Sequence, residues 1–305
     1  MANSINHWVI HWFLIDRDGV ALTKIEQFHL KIFEKYKSFI MTNFDKITIS
    51  FAKTEKTDPM LIQYIKNLIK LMFDEKKIDF QVRNNNQKSG EFDTFKDNVL
   101  ANIGSSEKIL YTHIKGVYRT SVTPILLKRE LVWIWGMYQV VFSTQTLNSL
   151  EKFVMAGPNF SIYDNAFHTI KTNKWNPQIH IYRTYLMPLK KELAKIKDSN
   201  KLIEKYLSIL PNSKDNLPWA YLGTFYWINA EKLGSYINNH GFSKEDIIAI
   251  ANEFQNHNRP PNMYSGISKL NGHIEKMTFA NNVSEYFLPS IVRLKDCSFF
   301  KLKDK

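Results

Sequence analysis

Two short segments place reactive side chains where an apolar run gives way to a loop. The first is KILYTHIKGVYR at 108–119, in which Ile109, Leu110 and Tyr111 lead into His113, Lys115 and Gly116. A lysine beside a glycine at the end of a strand suits a diphosphate: the ammonium supplies charge and the glycine lets the backbone come close. The second is FLIDRDGVAL at 13–22, where the apolar run ends in Asp16, Asp18 and Gly19. A carboxylate pair in a turn after a strand commonly does no more than cap the next helix.

Both segments need a scaffold that holds strand ends at one edge. HWVIHWFLI at 7–15 reads as a buried strand. Thr23 with Glu26 then forms a capping box ahead of a helical face made by Ile25, Phe28, Ile32, Phe33, Tyr36, Phe39 and Ile40. A second strand is expected at 46–52. A helix starting at Asp58-Pro59 follows, then a third strand at 78–82 and a helix over 91–103 stopped by Gly104. The segment ending in His113 is the fourth strand. Strand and helix alternating in this way give βαβ units and a parallel sheet, whose carboxyl edge is where ligands bind.

Beyond residue 120 the pattern changes. Thr123-Pro124 starts a helix expected to reach about residue 150, MAGPNF at 155–160 reads as a loop, and a Lys-rich helix covers about 186–210. PWAYLGTFYWINAEKL at 218–233 reads as strand, tight turn, strand and helix start. Ser243 and Asp246 cap a further helix, RPP at 259–261 breaks the chain, and 283–293 reads as helical up to the limit set by Pro289. Residues 1–120 are therefore expected to form a Rossmann-like lobe, and residues 121–305 a helical, aromatic-rich half packed on the same sheet.

The chain has 305 residues with 44% hydrophobic and 23% charged residues, the proportions of a folded globular protein. Its 41 Lys+Arg against 29 Asp+Glu give a net charge of +12, which favours anionic partners. A single cysteine, Cys297, excludes an intramolecular disulfide. No apolar run approaches the roughly 20 residues of a spanning helix, and the first residues lack the pattern of a secretory leader. A cytoplasmic protein is expected, with peripheral contact to an anionic inner leaflet through a lysine face. GxGxxG, the P-loop, HExxH, GxSxG and the kinase signatures are absent, which argues against a dinucleotide cofactor and against those enzyme classes. A basic nucleic-acid-binding protein is an alternative, but no RRM, KH or zinc signature occurs and the lysines are dispersed, so no nucleic-acid partner is expected.

GEFDTF at 90–95 followed by ILYTHIKGV at 109–117 resembles a pattern in bacterial and viral GT-A-like glycosyltransferases, and is similar to the HxK region of the rhamnan-synthesis protein F group. GTFYWI at 223–228 looks like the Gly-Asn-Phe-Trp-Trp segment of those proteins, and VSEYFLP at 283–289 resembles their late acidic segment. Ile114 stands where the pattern usually has Thr, and Thr224 where it has Asn.

The resemblance implies a GT-A-like α/β fold and transfer of a sugar from a nucleotide-diphosphate donor to a glycan or lipid-linked glycan acceptor, in capsule or lipopolysaccharide assembly. It implies donor contacts from His113, Lys115, Gly116, Arg119, Glu91 and Thr94. Acceptor contacts would come from Gly223, Thr224, Tyr226 and Trp227, and Glu285 would be the catalytic carboxylate. His113 and Lys115 occupy the places where such enzymes carry a metal-holding Asp-x-Asp, so metal-independent transfer is expected, with no metal ligands assigned. FLIDRDGVAL resembles instead the start of a haloacid-dehalogenase-type phosphatase, with Asp16 as nucleophile and Asp18 as general acid, although the later acidic pair of that family has no counterpart.

Each of these residues also has a plainer role. Trp133 and Trp135 read as helix core, and Tyr226 and Trp227 divide evenly between core and acceptor platform. Glu91 reads as a carboxylate favoured in a first helical turn, and Glu285 as a surface carboxylate. His7 and His11 alternate along the first strand as structural histidines.

Overall fold

The computed structural model describes residues 4–17, 19–85, 90–114, 123–158, 224–256, 287–288, 291–292 and 296–300. Four strands, β1 (Ile5–Phe13), β2 (Lys46–Lys53), β3 (Ile78–Asn84) and β4 (Glu107–His113), pair in parallel. They are connected through α1 (Lys24–Lys35), α2 (Lys37–Asn43), α3 (Pro59–Met72) and α4 (Gly90–Asn98). The helix starts follow the sequence signals. Thr23 and Glu26 exchange side-chain and backbone hydrogen bonds in a capping box. Asp58 accepts from the backbone N–H of Met60 at 2.8 Å, with Pro59 in the first turn.

The expected continuous helix to Ile40 is broken at Tyr36, whose ring packs against Trp135 and Phe142, so tertiary packing overrides local periodicity there. The helix expected over 91–103 narrows to α4 and a 3₁₀ turn at Leu100–Asn102, ahead of Gly104 with φ 87°.

The chain continues as α5 (Pro124–Val141), α6 (Thr144–Ser149), β5 (Met155–Pro158), β6 (Tyr226–Asn229), α7 (Ala230–Asn239), α8 (Lys244–Asn256) and β7 (Cys297–Phe300). Two expectations are corrected. The helix expected to reach about residue 150 ends at Val141, because Ser143 is extended (φ −126°, ψ 133°), and α6 restarts after it. The expected loop at 155–160 contains β5, a fully buried strand between β6 and β7. Its Pro158 is the last residue of the strand, where a missing N–H is tolerated.

The seven strands among the described residues belong to one mixed sheet in the order β3-β2-β1-β4-β6-β5-β7, with β6 antiparallel to both neighbours. Helices cover both faces, as a mostly parallel sheet requires. On one face Trp8, Ile10, Trp12, Leu110 and Trp227 pack with residues from α1, α2, α3, α5 and α6. On the other, Val9, Ile109, Tyr111, Tyr226 and Ile228 pack with α4, α7 and α8. Lys115, Gly116, Arg119, Gly223, Asp18 and Glu285 lie outside the described residues, as do the expected helix at 186–210, the first strand of 218–233 and the RPP break.

Candidate functional site

In the sheet β1 lies between β2 and β4. The helices leaving β1 cover one face, while α4, which feeds β4, covers the other. The winding therefore reverses between β1 and β4, and their carboxyl ends bound a crevice of the kind that holds ligands in open α/β sheets.

His113 is the last residue of β4 and pairs in register with His11 of β1. Strand alternation puts both rings on the side of α4, because Val9, Ile109 and Tyr111 belong to that core. Glu91, in the first turn of α4, brings its Oε1 to 3.4 Å from His113 Nδ1. A close approach of chain segments sets up this pairing: a Cβ on Gly90 would sit 2.7 Å from the Cβ of Ala52, so glycine lets α4 begin directly against β2. The His113 ring stands edge-on to Phe225 at 6.1 Å. Its Nε2 is buried and has no hydrogen-bond partner among the described residues. An unsatisfied buried nitrogen in a crevice calls for a partner, and the described residues do not provide one.

Beneath this pair lies a closed polar network. His11 Nδ1 is 3.1 Å from the Thr94 hydroxyl, which also bonds Ser50 Oγ and the carbonyl of Gly90, each at 2.8 Å. Arg83 donates through Nε to Ser50 Oγ at 3.1 Å and through Nη1 to Asp97 at 2.7 Å. Burial pushes the His11 imidazole down from 6.5 to about 4; Glu91 opposes this, while His113 and Arg83 add to it. Thr94, expected at the donor, is instead fully buried with its hydroxyl engaged, so it supports the site from below.

The acceptor side needs a clearer correction. Tyr226 and Trp227 are fully buried and, as neighbours on a strand, face opposite cores. Trp227 stacks on Phe44 at 5.2 Å and donates from Nε1 to the Val141 carbonyl at 2.8 Å. Tyr226 packs beside Tyr111 at 5.9 Å. Two rings on opposite faces of a strand cannot form one sugar platform; both are core.

Thr224 is different. It precedes β6, and continuing the antiparallel count from Tyr111↔Tyr226 brings it level with His113. Its φ is 62°, a left-handed conformation that a β-branched residue rarely adopts. Its buried Oγ1 has no hydrogen-bond partner among the described residues. Strain and an unsatisfied hydroxyl thus coincide beside His113.

At the β1 end Asp16 is exposed and accepts a hydrogen bond from the Thr54 hydroxyl at the end of β2. Arg17 turns inward and clasps the buried Glu26 carboxylate at 2.6 and 3.0 Å, so the capping carboxylate also anchors the loop after β1. Among the described residues no group of three His, Cys, Asp or Glu is arranged to hold a metal ion.

Spacing alone leads to His113, and the resemblance adds Glu91 and Thr224. The sequence marks His11 as a structural histidine and gives Arg17 no role. Alternation along β1 orients His11, but its position beside His113 depends on a register between strands separated by four helices and two strands.

The chain matches no protein-family model, no curated protein and no solved structure.

Proposed function

We propose that the chain is a glycosyltransferase that moves a sugar from a nucleoside-diphosphate donor to a glycan or lipid-linked acceptor, with the donor diphosphate at the β1/β4 crevice. The observation that carries this reading is His113 at the switch point, with Glu91 on its Nδ1 side and a buried Nε2 that has no partner among the described residues. In this reading Glu91 Oε1, 3.4 Å from Nδ1, orients the ring, and Nε2–H donates to a phosphate oxygen. In transfer, the bond from the anomeric carbon to the diphosphate oxygen breaks and its electron pair leaves with the nucleoside diphosphate. A hydrogen-bond donor at that oxygen stabilises the developing charge. The acceptor hydroxyl forms the new bond and loses its proton to a base, a role that the resemblance gives to Glu285. Lys115 and Arg119, close in sequence, add charge for the same diphosphate. A left-handed backbone at Thr224 supports the reading too, because the Asn usual there in the resembling pattern is the side chain that tolerates that conformation best after glycine.

The test is calorimetric titration with uridine, guanosine, cytidine and thymidine diphosphates, alongside release of nucleoside diphosphate from the matching nucleotide sugars. A charge-assisted hydrogen bond is worth roughly 1.5–3 kcal/mol, so His113→Asn should weaken binding of the preferred nucleotide by about tenfold to a hundredfold. Absence of binding to every nucleoside diphosphate would remove the proposal.

The exposed Asp16 at the β1 end, bonded by Thr54, is the one observation in favour of phosphoester hydrolysis. Magnesium-dependent hydrolysis of p-nitrophenyl phosphate that is lost in Asp16→Asn would favour that second reading.

A further inference from the structure

Away from the crevice, α1 and α5 leave a groove of about 380 Å³ between them. Its floor is Phe28, Ile32, Leu131, Val132 and Trp135, and its rim carries Lys31, Lys35 and Lys128; among the described residues no acidic one lines it. The Lys35 ammonium lies 4.4 Å from the centre of the Trp135 ring. Helical spacing continues the stripe on α5 outward: Ile125, Lys128, Val132 and Trp135 recur three or four residues apart. Ile125 is 74% exposed and Val132 44% exposed, in a helix that keeps Ile134, Met137 and Tyr138 in the core. Cations whose aliphatic stems flank an open apolar floor, with a tryptophan at the boundary, match the layering of a membrane interface.

We propose that this groove is where the protein docks on an anionic lipid bilayer, with the three lysines meeting lipid phosphates and the α5 stripe entering the acyl boundary. A free polyanion such as a nucleic acid would engage the lysines but leave Ile125 and Val132 in water, so the apolar floor selects lipid. The proposal is independent of the transfer reaction, because it is read out without any nucleotide or sugar.

The full-length protein is sedimented with vesicles of phosphatidylcholine alone and of phosphatidylcholine with 30% phosphatidylglycerol, over a salt series. Binding is expected to the anionic vesicles only and to weaken as salt rises. Each lysine near such a surface contributes about fivefold in affinity, so Lys31→Gln/Lys35→Gln/Lys128→Gln should weaken binding on the order of a hundredfold. Ile125→Asp, at a position too exposed to unfold the protein, should also weaken it, while glycerol phosphate in solution should compete poorly. Equal binding to both vesicle types, or unchanged binding of the triple variant with circular dichroism intact, would overturn the proposal. So would a single-stranded oligonucleotide bound as tightly as the anionic vesicles by wild type and by Ile125→Asp alike.

Discussion

At the bottom of the crevice His11 is held neutral by burial, and the consequence is a pH dependence of stability with a definite sign. Its folded value of about 4 lies below the ordinary 6.5, so the unfolded chain takes up a proton first as pH falls. The stabilisation is complete above pH 6.5, falls through the interval down to pH 4, and stays lost below it. Roughly 2 kcal/mol should disappear between pH 7 and pH 5 through this residue alone. Urea unfolding at the two pH values should show that loss in wild type, and a smaller one in His11→Gln, whose amide keeps a bond to Thr94. His7 adds in the same direction. It is buried, bonded to Glu107 at 3.0 Å and Thr48 at 2.9 Å, and lowered chiefly by desolvation. Thr224 offers a second residue-level test. Thr224→Asn keeps a polar side chain and relieves a left-handed β-branched residue, so it should raise stability by about 1 kcal/mol while preserving nucleotide affinity. A drop in the urea midpoint would show that the hydroxyl contributes more than the strain costs.

Among the elements, α7 shows how closely the parts abut. A Cβ on Gly234 would stand 2.6 Å from Cα and 2.9 Å from N of Gly104, both backbone atoms. In an isolated helix Gly→Ala is stabilising by up to about 1 kcal/mol. Here Gly234→Ala should instead destabilise by about 1–3 kcal/mol through overpacking, read from a lower unfolding midpoint. The first four strands and their helices were legible because their signals are local: apolar runs, the Thr23/Glu26 box and Asp58-Pro59 act within a few residues. The strand β5 was not, because four residues ending in Gly-Pro become a strand only once β6 and β7, distant in sequence, pair on either side. Tyr226 and Trp227 were ambiguous for a related reason. In a strand buried on both faces every position is apolar, and no alternation separates a core ring from a binding ring. His113 could be read from its strand end, whereas its contact with Glu91 required the close entry of α4 that Gly90 permits. Trp135, expected as helix core, is only partly buried and lines the α1/α5 groove instead.

Over the whole molecule, the two cores meet across the sheet at β6, and its central residue Trp227 ties β6 to α2 and α5 through Phe44 and the Val141 carbonyl. Trp227→Ala should cost about 3–5 kcal/mol and unfold the two halves together, checked by near- and far-ultraviolet dichroism following one transition. A sugar-contacting tryptophan would lose activity with its stability intact, so the same variant separates the two roles.

The reversed strand β6 also has a consequence for how the protein is made. Its partner strand β4 ends at His113 and β6 begins at Tyr226. At the usual pace of synthesis, roughly ten seconds separate the two leaving the ribosome. Through that interval β1 to β4 can pair and pack, but the outer edge of β4, with Ile109, Leu110 and Tyr111, has no neighbour. An open edge of that kind recruits other strands. The nascent chain is therefore most exposed to aggregation after its first four strands have formed, and a ribosome stalled between residues 114 and 223 should leave the product most dependent on chaperones.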